Sequence, residues 1–233
     1  MKKQEKAQLV FRRLKELYPD AHCELNHSNA FELLLATILS AQCTDVRVNM
    51  VTPALFKAYP TPQKLAKAKV EDVEELVKSI NFFKNKSKSL VSCAQKLVSD
   101  HKGSVPQTVE ALTELSGVGR KTANVVLGNA FNINTGIVVD THVKRTTFLL
   151  GLTEQTDPEK VEKDLMKLFP NETWTDISHL LIFLGRRTCI ANRPQCDLCV
   201  LKDVCPSKNK FQKDLKKAPV DTKSKVTRKK VKL

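Results

Sequence analysis

Hydrophobic residues recur at helical spacing along most of this chain, and polar residues fill the positions between them. One predicted helix spans residues 84–101 and has an apolar face made of Leu90, Ala94, Leu97 and Val98. Another follows Asp157, whose side chain can cap a helix that Pro158 begins. Only residues 131–139 are rich in strand-forming types, and nine residues cannot build a sheet alone. The pattern therefore predicts an all-α fold.

Two local signals modify this pattern in the first third of the chain. Asn29 followed by Glu32 forms a capping-box pattern in front of a predicted helix over residues 31–40. Pro53 lies inside a helical pattern that covers residues 46–58. Because proline has no N–H donor and its ring crowds the preceding turn, we expect a kink or break there.

The basic charge of the chain is concentrated at its C-terminus. The 233 residues carry a formal net charge of +14, and residues 208–233 contain eleven Lys or Arg against two Asp. Since this segment has few apolar side chains to bury, we expect a basic disordered tail. The tail is either a solvated solubility segment or an extra source of non-specific attraction to DNA phosphates.

The apolar runs of the chain are all shorter than a membrane-spanning helix. None approaches the roughly 18 residues that such a helix needs, and the N-terminus is too polar for an export signal. We therefore expect a protein that does not contact membranes and that lies in the cytoplasm, associated with the nucleoid. We also expect it to be a monomer.

A helix, a tight glycine-bearing loop and a second helix are predicted over residues 108–130. Gly117 and Gly119 allow a sharp turn, and the absence of a Cβ lets another chain approach the backbone closely. The free N–H groups at the start of the second helix are suited to binding a phosphate. An ordinary connection between two helices is the alternative for a glycine pair of this kind.

Four cysteines near the C-terminus have the spacing of a metal or cluster site. Cys189, Cys196, Cys199 and Cys205 lie within seventeen residues, which is compatible with one tetrahedral metal or one cluster. Zinc is the simpler ligand, although zinc ribbons usually have two close pairs where this chain has one. The isolated Cys23, Cys43 and Cys93 are interpreted as inert thiols.

Two segments together resemble the helix-hairpin-helix and catalytic aspartate segments of the endonuclease III family. They are Leu-Ser-Gly-Val-Gly-Arg-Lys-Thr-Ala over residues 115–123 and Val-Val-Asp-Thr-His-Val over residues 138–143. The resemblance implies that Lys121 is the nucleophile and Asp140 the catalytic carboxylate. It also implies a bifunctional enzyme of base excision DNA repair, which removes oxidised pyrimidines and cleaves the strand 3′ to the abasic site by β-elimination.

Further segments extend the resemblance from about residue 20 to Cys205. Residues 39–45 are similar to the family segment whose glutamine enters the base stack, here Gln42, and residues 80–83 align Phe82 with a second wedge. The cysteine spacing matches the loop that binds one [4Fe-4S] cluster in the family. A base must leave the duplex before excision, so side chains that fill the gap are expected.

The expected chemistry also follows from the residue types. An amine attacks the C1′ carbon only when it is uncharged, and both the helix N-terminus and Arg120 disfavour another positive charge at Lys121. Asp140 is placed to cap the helix that begins at Thr141, and an anion there can stabilise positive charge on the sugar. Taken alone, Asp140 would be an ordinary N-cap. His142 and His179 are interpreted as structural histidines.

The resemblance implies two helical domains that flank a DNA-binding cleft. Residues 22–134 would form a six-helix barrel domain with the hairpin, and residues 1–21 with 135–207 would form the cluster domain. The expected partner is double-stranded DNA with damaged bases or abasic sites, contacted by Gly117, Gly119, Arg120 and Arg193. Arg186 and Arg187 are further candidates for phosphate contacts.

Two other functions share part of this sequence pattern. A monofunctional adenine glycosylase would have the cluster and the aspartate, but that branch lacks a lysine at position 121 and has an additional C-terminal domain. A non-catalytic helix-hairpin-helix module would need the glycines but neither Lys121 nor Asp140. Covalent trapping on DNA would separate these alternatives from a lyase.

Overall fold

The computed structural model describes residues 1–208, and every regular element in that range is a helix. The α-helices are α1 (Lys3–Leu17), α2 (Ala30–Ser40), α3 (Asp45–Ala58), α4 (Pro62–Ala66), α5 (Val70–Val77), α6 (Phe83–His101), α7 (Val109–Thr113), α8 (Arg120–Ala130), α9 (Thr141–Leu149), α10 (Pro158–Met166) and α11 (Trp174–Phe183). A 3-10 turn (Asn171–Thr173) precedes α11, and a π-helical turn (Leu184–Thr188) follows it. The predicted all-α fold is therefore confirmed for the described residues.

The buried apolar side chains form two hydrophobic clusters. The first hydrophobic cluster contains buried residues of α2 to α8, from Leu25 to Leu127. It includes α2, in which eight of the nine residues from Phe31 to Leu39 are buried and only Glu32 is not, as expected for a helix that is apolar on all sides. The second hydrophobic cluster contains buried residues of α1 together with those from Ile137 to Leu201.

Helix α1 packs against the C-terminal half of the chain. Its fully buried face consists of Ala7, Val10 and Leu14, which belong to the second hydrophobic cluster. Two hydrogen bonds fix its position, from Gln4 to the carbonyl of Leu168 and from Arg13 to the carbonyl of Val200. The chain therefore passes from the second cluster to the first after α1, and returns to it after α8.

The local sequence signals have mixed outcomes. The helix over residues 84–101 is confirmed by α6, and Asp157 caps α10 by accepting a hydrogen bond from the N–H of Lys160. A kink or break was expected at Pro53, and the break does not occur, because α3 continues through this position. Pro53 is exposed, while Val48 and Leu55 are buried on either side of it and hold both halves of the helix against the core.

The capping box at α2 also differs in one bond from its predicted form. Asn29 accepts from the N–H of Glu32 as expected, but the Glu32 carboxylate accepts from the N–H of Ser28 at 2.6 Å.

Residues 131–139 form no strand. Within residues 1–208, no helix combines the length and the apolarity that crossing a bilayer requires. The predicted tail falls outside the described residues, apart from Lys208.

Candidate active site and cysteine cavity

A cavity of about 230 Å³ is lined by residues of both hydrophobic clusters. Lys121 and Asp140, which the sequence pattern singled out, both line it. Lys121 is the second residue of α8, and Asp140 directly precedes α9. The two helices belong to different clusters, so the cavity is the place where an amine and a carboxylate from opposite sides can act on one bound group.

The hairpin between α7 and α8 places Lys121 in the first turn of a helix. Gly117 has a φ of +80°, which an L side chain adopts only under strain, and a Cβ there would lie 3.1 Å from Ser89 and 3.2 Å from Ile38. Gly119 caps α8 without a side-chain hydrogen bond, and a Cβ there would meet open space. The first-turn N–H groups of α8 therefore lie beside an open face where an anion can approach.

Asp140 is fixed by the helix that it caps. Its Oδ1 accepts a hydrogen bond from the N–H of Val143 at 2.8 Å, and the side chain is half-buried. The preceding residues Ile137, Val138 and Val139 are buried, so the segment that leads to Asp140 is anchored in the protein interior. An N-terminal cap of this kind orients the carboxylate.

A buried carboxylate pairs with the residue that precedes Lys121. Glu162 of α10 accepts hydrogen bonds from Arg120 at 3.1 and 3.2 Å and from Nδ2 of Asn124 at 2.9 Å. The hydrogen bond to Glu162 is the main cause of a raised pKa at Arg120. Arg120, predicted to contact DNA, thus also makes an internal ion pair, with 47% of its side chain exposed. The sequence pattern did not identify Glu162.

Arg186 and Arg187 make ion pairs with acidic residues of the chain itself. Arg186 lines the cavity and donates to Glu24 and to Asp45, the latter at 2.7 Å. Burial opposes its charge, but the hydrogen bond to Asp45 and the nearby carboxylates outweigh this effect and raise the pKa of Arg186. Arg187 pairs with Asp20 at 3.0 Å. Both guanidinium groups therefore make ion pairs within the protein. The sequence pattern predicted only contacts to DNA phosphates for these two arginines.

The two histidines of the site differ in their partners. His179 lines the cavity, its Nε2 lies 2.8 Å from Oδ1 of Asn129, and burial lowers its pKa to about 4. It is therefore a neutral hydrogen-bonding group at physiological pH. The Nδ1 of His142 is buried without a partner among the described residues. His142 instead packs closely against Gly185, where a Cβ would crowd its ring.

Cys23, Cys43 and Cys93 do not form a cluster of thiols. Cys93 is buried in the first hydrophobic cluster, and burial raises its pKa to about 12. Cys23 lines the cavity, and burial raises its pKa as well. The raised pKa values keep the thiols of Cys23 and Cys93 protonated and poorly nucleophilic, which agrees with the interpretation of these two cysteines as inert.

The four C-terminal cysteines line one cavity of about 30 Å³. Burial raises the pKa of Cys189 to about 11, while the nearby Arg145 lowers it. Arg145 donates to the carbonyl of Cys189 at 2.7 Å, and its Nε is buried without a partner in the described range. Within residues 1–208 no three His, Cys, Asp or Glu side chains are close enough to hold a single ion.

Gln42 and Phe82, the predicted wedge residues, lie on exposed loops that touch each other. Gln42 follows α2 and lines the cavity, and Phe82 precedes α6 with 63% of its surface exposed. Asn81 connects the loops by donating to the carbonyl of Gln42 at 2.7 Å. Arg193, in the cysteine loop, is exposed. The pattern of the sequence gave no reason to select Asn81.

Comparisons with known proteins agree with this architecture. Residues 35–171 match the model of the HhH-GPD superfamily base excision DNA repair protein. The chain is 50% identical over 205 residues to endonuclease III of Synechocystis sp., covering 88% of this chain and 94% of the relative. It is 42% identical over 201 residues to endonuclease III of Escherichia coli K12, covering 86% and 95%.

Solved structures show the same similarity. A non-covalent endonuclease III–DNA complex matches with a TM-score of 0.87 and 41% identity over 91% of this chain and 100% of that chain. A trapped endonuclease III–DNA covalent intermediate matches with a TM-score of 0.86 at the same identity and coverage. A thermostable thymine-DNA glycosylase shares the fold, with a TM-score of 0.80 at 18% identity over 88% and 98% of the two chains.

Proposed function

The chain belongs to the endonuclease III family of HhH-GPD base excision repair proteins, and on this premise we propose that Lys121 is its nucleophile and Asp140 its catalytic carboxylate. The protein is a base excision DNA glycosylase and AP lyase. The observation that supports the residue assignment is that both side chains line the cavity of about 230 Å³. We propose oxidised pyrimidines as its substrate class.

The proposed reaction begins with a damaged nucleotide turned out of the duplex into the cavity. Uncharged Lys121 attacks C1′ through Nζ, the glycosidic bond breaks, and the base leaves with its electron pair and takes up a proton. Asp140 stabilises the positive charge that develops on the sugar during this step. The sugar ring then opens as O4′ is protonated, which leaves a Schiff base between C1′ and the lysine.

Strand cleavage follows from the electron-withdrawing Schiff base. Loss of a proton from C2′ expels the 3′ phosphate by β-elimination, and the broken C3′–O bond leaves a terminal phosphate on the downstream strand. Water then hydrolyses the Schiff base, which frees the lysine and leaves the unsaturated aldehyde at the 3′ end of the upstream strand. Asp140 is placed to accept or relay the protons of these steps because it faces the same cavity.

Double-stranded DNA is the proposed partner. The first-turn N–H groups of α8 and the open face at Gly119 favour a phosphate beside the hairpin of Gly117 and Gly119. Exposed Arg193 can contact the backbone from the cysteine loop, and Arg120 can do so with the exposed part of its guanidinium. Gln42 and Phe82 would fill the gap that the extruded nucleotide leaves.

One [4Fe-4S] cluster is the proposed cofactor, held by Cys189, Cys196, Cys199 and Cys205. The supporting observations are that these thiols line one cavity and follow the spacing predicted for the cluster loop. When bound, the cluster acts as a structural cross-link of the loop that carries Arg193. The two hydrophobic clusters would then be the cores of two domains, residues 22–134 and residues 1–21 with 135–207.

Borohydride trapping tests the proposed nucleophile. The protein is incubated with duplex DNA that contains thymine glycol or an abasic site, and borohydride reduces any Schiff base to a stable adduct. Wild type should form the adduct. Lys167→Ala is the control, because it removes an exposed lysine that directly follows α10, and it should form the adduct as well. Lys121→Ala should not. Adduct formation by Lys121→Ala, or its absence from active wild type, would refute the assignment.

The cofactor has a separate test. Protein purified without oxygen should be brown and contain about four iron and four sulfide per chain. Replacement of Cys196 by Ala should remove most of the iron and colour. A colourless protein that contains one zinc ion would refute the cluster and leave the nucleophile assignment untouched.

A further inference from the structure

Gln42 and Phe82 both have backbone conformations that need outside support. Their φ angles are +54° and +58°, in the left-handed region that non-glycine residues rarely adopt. Such a conformation is unfavourable for a residue with a Cβ and persists only where the surroundings hold it. Both residues are exposed, so packing of their own side chains does not supply the support. The contacts that hold them must come from neighbouring residues.

Lys86 holds the two loops together through both of its nitrogen atoms. Its side chain is buried, and Nζ donates to the carbonyls of Leu39 at 2.9 Å and Ala41 at 2.6 Å. These carbonyls lie at the C-terminal end of α2, where helical partners are missing and a cation is favoured. The main-chain N–H of Lys86 donates to the carbonyl of Phe82 at 3.1 Å. One residue therefore fixes the backbone beside Gln42 and at Phe82.

Asn81 makes the second connection. Its Nδ2 donates to the carbonyl of Gln42 at 2.7 Å, while its own backbone precedes Phe82. Together with Lys86, this bond links two loops that are about forty residues apart in sequence, and it does so at the two strained positions themselves. We expect that removal of the Asn81 bond or of the Lys86 side-chain bonds would let the loop of Gln42 move relative to the loop of Phe82.

We propose that Asn81 and Lys86 are positioning residues that hold Gln42 and Phe82 as one rigid wedge for the gap in the DNA stack. The proposal rests on the proposed function, in which an extruded nucleotide leaves that gap. A wedge that is ordered before DNA binds loses less conformational entropy on insertion than two independent loops. The benefit is confined to duplex substrates, because a single strand has no opposing stack to fill.

The ratio of two rates tests this role. Single-turnover strand cleavage is measured at one abasic site, once in a duplex and once in the same strand without its complement. Asn81→Ala should lower the duplex rate about three- to tenfold, the size expected for one neutral hydrogen bond, and leave the single-strand rate within about twofold. Lys86→Met should lower the same ratio, and the ratio cancels any loss of folded protein because both rates fall together.

Gln95→Ala is the matched control. Gln95 lies on α6 and donates an amide hydrogen bond to the carbonyl of Ala66 at 3.2 Å, so its loss removes the same kind of bond away from the wedge. Its duplex to single-strand ratio should equal that of wild type. In a chain with both Gln42→Ala and Phe82→Ala, adding Asn81→Ala should change the duplex rate less than twofold, because no wedge side chains remain to position.

The outcomes separate this proposal from the proposed function. A wild type that forms a borohydride adduct, combined with an unchanged ratio in Asn81→Ala, would refute the positioning role alone. Equal losses on duplex and single strand would refute it too, because they indicate a general structural defect. Failure of wild type to form the adduct on either DNA would overturn the lysine chemistry and this proposal with it.

Discussion

Glu162 and Arg120 form an ion pair that joins α10 to the first residue of α8, immediately before Lys121. The carboxylate has only 8% of its side chain exposed and also accepts from Asn124, whose Oδ1 accepts from Thr135. A Cβ at Gly136 would overlap the carboxylate, so the segment that leads to Asp140 passes directly over it. Glu162 therefore contacts both the residue that precedes Lys121 and the segment that leads to Asp140.

Loss of Arg120 should destabilise the fold through Glu162. Arg120→Ala leaves a buried carboxylate with one partner fewer, and we expect the free energy of unfolding to fall by about 1–3 kcal/mol. Urea unfolding should show a lower midpoint at an unchanged slope. Lys15→Ala is the control, because its partner Asp176 is 48% exposed and water can replace the lost ion pair. An equal or larger loss in Lys15→Ala would contradict the interpretation.

The structural and chemical roles of Asp140 can be separated. Asp140→Asn keeps an N-cap acceptor for Val143, so stability should stay within about 0.5 kcal/mol of wild type, whereas Asp140→Ala should lose about 1 kcal/mol. Both variants lack the charge and should lose most glycosylase activity, on the order of a hundredfold or more. Thermal unfolding and single-turnover excision are the measurements. Near-normal excision by Asp140→Asn would show that only the cap matters.

The two hairpin glycines should respond differently to alanine. Gly117→Ala forces a side chain into φ +80° against Ser89 and Ile38, and should cost about 1–3 kcal/mol of stability. Gly119→Ala meets open space at an ordinary φ, so stability should change by about 0.5 kcal/mol or less. Its added methyl should instead weaken DNA binding about tenfold by displacing a phosphate from the α8 amides. Unfolding midpoints and equilibrium DNA titrations would reveal a reversed order.

Burial of His179 should make stability depend on pH. Burial is the main cause of its pKa of about 4; His22 and Arg186 lower it further and Asp176 raises it. Since an unfolded histidine has a pKa near about 6.5, the unfolded chain alone binds this proton between about pH 6.5 and 4. The full contribution of His179 to stability is present above about pH 6.5. As the pH decreases through this window, the free energy of unfolding falls by up to about 1.4 kcal/mol per pH unit.

A comparison with His179→Gln isolates this contribution. Unfolding free energies of wild type and variant are measured between pH 7.5 and 5, and their difference removes the titration of every other group. The variant should show a shallower loss below about pH 6.5. Parallel curves would mean that His179 does not contribute.

Short-range signals in the sequence were enough for several elements. Caps at Asn29, Asp140 and Asp157 act within one turn of a helix, so they are legible from neighbouring residues. Pro53 misled because the cost of a proline in a helix is local, whereas burial of Val48 and Leu55 on the same helix is a tertiary effect that outweighs it. Local signals also do not identify the partners of Arg186, because Glu24 and Asp45 are about 140 to 160 residues away in sequence.

The sequence by itself determined that the chain is helical, that a glycine hairpin precedes a lysine, and that four cysteines stand at the spacing of a cluster. These features depend on periodicity and on neighbours in the chain, which are visible in a linear string. Only the tertiary structure decided that Lys121 and Asp140 line one cavity, that Glu162 pairs with Arg120, and that Asn81 donates to the carbonyl of Gln42. Such contacts arise when distant segments pack together, and no local pattern encodes which buried polar group will meet which partner.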